Sequence, residues 1–69
     1  MTTFEDLRTN AGLTITQLSK EADISRATIE KIEKGKPVRA ALAARACIAL
    51  SKHLDRSVTF QELGIQTVR

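Results

Sequence analysis

Apolar residues along this chain recur at helical spacing, in short runs punctuated by Gly, Pro and capping residues. Phe4 and Leu7 mark one such run, Leu18 and Ala22 a second, Ile29 and Ile32 a third. Leu42, Ala46, Leu50 and either His53 or Leu54 mark a fourth. Residues three or four apart lie on one side of a helix, so each set predicts an amphipathic helix with one inward stripe. Joined by Ile24, Phe60 and Leu63, these stripes suffice for a single small core.

Start and stop signals bound the helices. Thr2 with Glu5, Thr14 with Gln17 and Thr59 with Glu62 have the spacing of a capping box. Ser25 stands directly before Arg26-Ala27-Thr28-Ile29 as a further N-cap. Gly12, Gly35 and Gly64 sit where helices commonly close, and Pro37 removes a backbone donor between the third and fourth. The expected helices run from about Thr3 to Ala11, Ile15 to Ala22, Arg26 to Lys34, and Val38 to Leu50 or Leu54. A short fifth is expected near Phe60. The tail Ile65-Gln66-Thr67-Val68-Arg69 allows a short strand. The expected fold is all-α, a compact five-helix domain over 1–69 with 64–69 as its tail; no repeat, linker or low-complexity tract divides it.

Helices two and three meet at a tight corner, Ala22-Asp23-Ile24. Two short helices joined in this way, the second one basic, form a helix-turn-helix whose second helix can enter the DNA major groove. Charge changes the picture further. Net charge is +3 over 69 residues. Residues 1–25 are net acidic, with Arg8 and Lys20 against Glu5, Asp6, Glu21 and Asp23. Residues 26–39 carry Arg26, Lys31, Lys34, Lys36 and Arg39 against only Glu30 and Glu33. The positive charge is densest on the third helix and the loop after it. That suits either a phosphate-facing surface or an ordinary solvated face.

Other chemistries find little support. Phe4 and Phe60 are the only aromatics, too few for the stacking platforms that bind single strands. One Cys and one His cannot build a zinc site, so no metal and no cofactor is expected. Cys47 lies in an apolar run and reads as a buried thiol, and His53 as a core or helix-end residue. The three glycines are isolated, so no phosphate loop is present, and nothing groups Ser, His and Asp into a catalytic set; an enzyme is not expected. There is no long apolar segment, and Glu5 and Asp6 interrupt the N-terminus, so the expectation is a cytoplasmic protein without membrane attachment. A chain of this length buries only about 60% of its unfolded surface, so sharing burial in a homodimer would help it.

The stretch from Leu7 to Leu63 resembles the phage-repressor helix-turn-helix family, of the Cro/CI-like or XRE type. The residues that carry the likeness are Leu7-Arg8, Gly12-Leu13-Thr14, Gln17-Leu18-Ser19, Ile24-Ser25, Thr28-Ile29 and Ile32-Glu33-Lys34-Gly35-Lys36. Its most specific part is Ser25-x-x-Thr28-Ile29 followed by Ile32-Glu33-x-Gly35. The resemblance implies a lambda-repressor-like fold in which Ser25, Arg26, Ala27 and Thr28 open the helix that meets base edges. Glu30 or Lys31 follows one turn later, and Lys34 reaches base or phosphate. It implies that the N-terminus of helix two, with Thr14, Thr16 and Gln17, caps a phosphate, and that Lys36 and Arg39 clamp the backbone. Arg8 and Glu33 correspond to a pair that bridges helix one to the end of helix three. The chain departs from the pattern in three places: Asp23 replaces the usual corner Gly, Ile15 replaces a common Gln, and Ser51–Ser57 is longer than the usual link. The last departure means an extra helical turn or an extended loop.

At the expected contact, the Arg26 fork can bond guanine O6 and N7, and Ala27 can touch a thymine methyl. Lys31 can reach guanine or phosphate. Glu30 can accept from cytosine N4 or pair with Lys34 one turn on. The function expected is a sequence-specific double-stranded DNA-binding regulator of transcription, a homodimer on a palindromic operator, acting by occupancy. Two rivals share the fold: an antitoxin with a toxin protein as partner, and a DNA-architectural or recombination directionality factor. For the dimer, Ile48 is expected to be exposed beside Ala41 and Ala44, with Ile65 and Val68 in the tail as a second candidate surface.

Overall fold

The computed structural model describes residues 2–68 and holds four α-helices and two very short strands. They are α1 (Phe4–Asn10), α2 (Ile15–Ala22), α3 (Arg26–Glu33), β1 (Val38–Arg39), α4 (Ala40–Ser51) and β2 (Thr67–Val68). The strands pair in parallel, Val38 with Thr67 and Arg39 with Val68. The fold is therefore mostly helical rather than all-α.

The local signals form as expected at α2 and α3. Thr14 Oγ1 accepts from Gln17 N–H and Gln17 Oε1 accepts from Thr14 N–H, completing a capping box. Ser25 Oγ accepts from Thr28 N–H. At α1 the box shifts by one residue: Thr3 and Asp6 form it, not Thr2 and Glu5. Both pairs have the same spacing, and burying Phe4 in the core at the first helical position selects the later one. Asp23 adopts the left-handed conformation at φ 57°, so the corner between α2 and α3 forms without glycine. Gly35, at φ 77°, closes α3: its N–H bonds Ile32 carbonyl while Lys36 N–H bonds Lys31 carbonyl. That double closure needs a left-handed residue, which glycine supplies without a side-chain clash.

Two of the expected helices differ, the fourth at its start and the fifth in its length. α4 begins at Ala40 rather than Val38, because Val38 is extended, buried, and donates its N–H to Gln66 carbonyl. It ends at Ser51, and i→i−3 bonds from Lys52, His53 and Leu54 tighten into an extended loop. The fifth helix is a single turn over residues 60–64, capped by Thr59 and closed by Gly64. One turn without a following helix does not repay the cost of nucleation.

The core gathers Phe4, Leu18, Ala22, Ile29, Ile32, Val38, Ala43, Ala46, Cys47, Ala49, Leu50 and Val58. Leu7, Ile24, Leu54, Phe60 and Leu63 pack against it from half-buried positions. Leu42 does not face inward; the stripe of α4 is set by Ala43, Ala46, Cys47 and Leu50, with Leu42 half-buried beside it. The small alanines let α4 approach α2 closely. Ser51 ends α4 by donating to Cys47 carbonyl at 2.7 Å and accepting Val58 N–H at 2.9 Å. That hydroxyl pins Val58 into the core. His53 lies outside the core and bonds Glu21 of α2 at 2.6 Å. Among the described residues no helix is long and apolar enough to cross a membrane.

Candidate nucleic-acid interface

Burial of Ile29 and Ile32 fixes the rotation of α3. Arg26, Ala27, Glu30, Lys31 and Lys34 are consequently exposed, and Thr28 half-exposed. Ser25 and Thr28 hydroxyls lie 2.8 Å apart, so both are committed to the cap as well as to the surface.

On one flank of α3 a groove of about 560 Å³ opens between the end of α1, the start of α2 and the start of α3. Arg8, Gly12, Thr14, Ile15, Thr16, Arg26 and Glu30 line it. Arg26 Nη1 donates to Thr16 Oγ1 at 3.4 Å, a long bond that leans the guanidinium toward α2. Gln17 Oε1 is occupied by its own cap. The capping box leaves the N–H groups of Ile15 and Thr16 without helical carbonyls to bond, the usual state of a helix start. Ile15 is half-buried and packs on the core, which explains an apolar residue at this rim.

On the other flank Thr28, Lys31, Pro37, Val38, Arg39, Leu42 and Val68 line a second groove of about 230 Å³. It brings Lys31 of α3 together with Arg39 of β1. Arg39 stands at the N-cap of α4 yet makes no side-chain cap bond. Lys34 and Lys36 are exposed and join neither groove. Among the described residues Glu30 and Lys34 form no ion pair; Glu30 faces the first groove with Arg26 instead.

Behind this surface Arg8 and Glu33 form a close pair, 2.6 Å from Nε to Oε2, and both are nearly buried. The bond to Glu33 raises the Arg8 pKa, with burial acting against it. The guanidinium therefore stays charged.

The sequence does not signal Leu42 and Val68 as part of a DNA-facing surface, yet both line the second groove; Val68 is expected only as a dimer contact. Val68 reaches it only through the pairing of β2 with β1. A β-branched tail signals a possible strand, but nothing local names its partner.

A family model described as helix-turn-helix matches residues 4–61. No curated protein and no solved structure gives a significant match. The family match runs from the first residue of α1 into the turn after Thr59, taking in the capped α2, the Asp23 corner and the exposed α3. On that evidence the chain belongs to the XRE-type helix-turn-helix family of DNA-binding regulators.

Proposed function

We propose that this protein regulates transcription by binding a palindromic operator as a homodimer, with α3 in the major groove. The observation that carries this reading is the flanking of one exposed helix start by two cation-bearing grooves. Arg26 stands in the first, and Lys31 and Arg39 stand in the second. A helix inserted in the major groove meets base edges along its first turns and phosphates on both sides.

In this reading Arg26 bonds a guanine, and its lean onto Thr16 limits the rotamers it must surrender on binding. Ala27 meets a thymine methyl. Ser25 and Thr28 hold the helix start while presenting their hydroxyls. Lys31 reads a base or holds a phosphate, and Lys34 adds charge further along. Glu30, free of Lys34, is available to accept from cytosine N4. The start of α2 receives one phosphate through the free N–H groups of Ile15 and Thr16, while Thr14 and Gln17, whose N–H groups are spent on each other's side chains, hold that helix start in place. Lys36 and Arg39 hold the backbone beyond α3.

The dimer is supported by Ile48, 62% exposed on α4. Ala44, Val58 and Phe60 lie on one side of it, and on the other the charged Arg45, Lys52 and Glu21 surround the buried Ala49. An exposed branched residue beside small ones suits close packing of two helices. The occupant proposed is a second copy of this chain.

Selection from random duplexes, followed by footprinting on the recovered sequence, tests the function. The expected result is a two-fold symmetric site with half-sites about one helical turn, roughly 34–36 Å, apart. Failure to enrich any sequence, or enrichment of a single unsymmetrical element, would overturn the proposal.

A further inference from the structure

We infer that β2 is a positioning element for DNA binding: its pairing with β1 holds Arg39, and through it the Lys36–Arg39 loop, against the phosphate backbone. This rests on the reading that Lys36 and Arg39 form a backbone clamp.

The loop after α3 has few anchors of its own. Lys36 N–H is fixed to Lys31 carbonyl at 2.8 Å, and Pro37 has no N–H to offer. Val38 is held by burial and by its bond to Gln66 carbonyl at 3.1 Å. Arg39 is exposed, and its side chain does not cap α4. Its backbone conformation, φ −65° and ψ 139°, continues the strand rather than the helix. The same extended conformation occurs at the N-caps Thr3, Thr14 and Ser25, but those three are held by their own side-chain caps; Arg39 has none, and the neighbouring backbone pairing of β1 with β2 is the hold it has instead.

The register makes the link specific. Arg39 is the partner of Val68, and both line the groove that contains Lys31 and Thr28. Val68 is 46% exposed and contributes little to the core. Its position is explained by what it lies beside: it walls the groove in which Arg39 and Lys31 stand together. A parallel pair in this register sets Val68 N–H toward Val38 carbonyl. Removing that donor frees the tail without altering any charge.

The test compares the full chain with Val68→Pro, Arg39→Ala, Lys36→Ala and the combination of Val68→Pro with Arg39→Ala. Binding is measured to a mixed-sequence duplex of about 20 base pairs across a salt series. Circular dichroism checks that each variant keeps its helices; Thr67→Gly with Val68→Gly replaces Val68→Pro should that variant not fold. Val68→Pro is expected to weaken binding about three- to tenfold and to flatten the log–log salt slope by roughly one phosphate contact. Added to Arg39→Ala, it should cause little further loss. A structural role alone would leave the salt slope unchanged and the two effects additive, and either result would overturn the inference. If Arg39→Ala and Lys36→Ala flatten the slope while Val68→Pro does not, β2 has no positioning role and the clamp survives. If neither Arg39→Ala nor Lys36→Ala changes the slope, the clamp itself fails and β2 has nothing to position.

Discussion

Arg8 and Glu33, 25 positions apart, meet through two hydrogen bonds, 2.6 Å from Nε and 3.2 Å from Nη2. The third guanidinium nitrogen donates to Leu13 carbonyl at 2.8 Å, and Leu13 N–H returns a bond to Arg8 carbonyl. One side chain therefore joins the end of α1, the turn before α2 and the last turn of α3. It thereby ties together the end of α1 and the turn before α2, which wall the groove where Arg26 stands.

Breaking that pair should cost stability. Arg8 and Glu33 side chains are only 12% and 9% exposed, so removing one leaves a nearly buried charge unpaired. Arg8→Ala should lose about 3 kcal/mol in urea denaturation, near the lower end for buried pairs. That is a large share of the roughly 3–10 kcal/mol available to a domain of this size. Replacing both residues with Met and Leu should restore much of the loss. A loss below about 1 kcal/mol for Arg8→Ala would place the pair among ordinary surface bridges.

Arg26→Ala should weaken operator binding by about 1–3 kcal/mol and relax preference at one base pair in each half-site. Sequence selection with the wild type and the variant reads this directly. Identical motifs from both would remove Arg26 from the base-reading set.

Asp23→Gly should stabilise the fold by about 0.5–1 kcal/mol. A side chain at positive φ carries a penalty of roughly 1–2 kcal/mol, partly offset by the extra freedom glycine has when unfolded. Asp23 is exposed and sits at φ 57°. A lowered melting temperature would show that the carboxylate itself supports the corner.

Cys47 gives a pH signature. Burial, and to a lesser degree the charge of Glu62, push its thiol up to about 11 from 9.0. The folded state keeps a proton that the unfolded state releases, so stability falls as pH rises from 9.0 to about 11. The loss expected from this group is about 1–3 kcal/mol over that window. Cys47→Ala should be less stable at neutral pH through its cavity, yet show a shallower decline above pH 9.0. Parallel pH profiles would refute this, as would rapid alkylation of the native thiol at neutral pH.

Ile48→Lys tests the dimer surface. In sedimentation at micromolar concentration the wild type should be dimeric and this variant monomeric, with helical content unchanged. A dimer that survives the change would move the interface elsewhere, and a monomeric wild type even on operator DNA would end the homodimer proposal.

The sequence carried the helix-turn-helix itself. Thr14 and Gln17, Ser25 and Thr28, Asp23 and Gly35 act on neighbours within one turn, so their spacing is enough to place α2, the corner and α3. The stripes Leu18–Ala22 and Ile29–Ile32 then decide which face is buried, and so which side chains of α3 are left outside. The burial of Cys47 was legible from its apolar run and the exposure of Ile48 from its place opposite Ala46, although the same stripe turned Leu42 inward where the structure has Ala43. The Arg8–Glu33 pair did not follow from spacing; it was expected from the family resemblance alone.

Tertiary structure decided what depends on residues far apart. The first cap was expected at Thr2 and formed at Thr3, beside the buried Phe4. Val38 lies in a stretch that continues into good helix formers, and only pairing with the tail and burial in the core made it extended. The turn after Thr59 had a helix signature but too few residues to propagate before Gly64. Ser51 found Val58, Glu21 found His53, and Arg39 found Val68 through closure of the whole chain. Local hydrogen bonding repeats every few residues and is written in the sequence. A contact between distant segments forms only when the core brings them together, and no pattern within either segment announces the other.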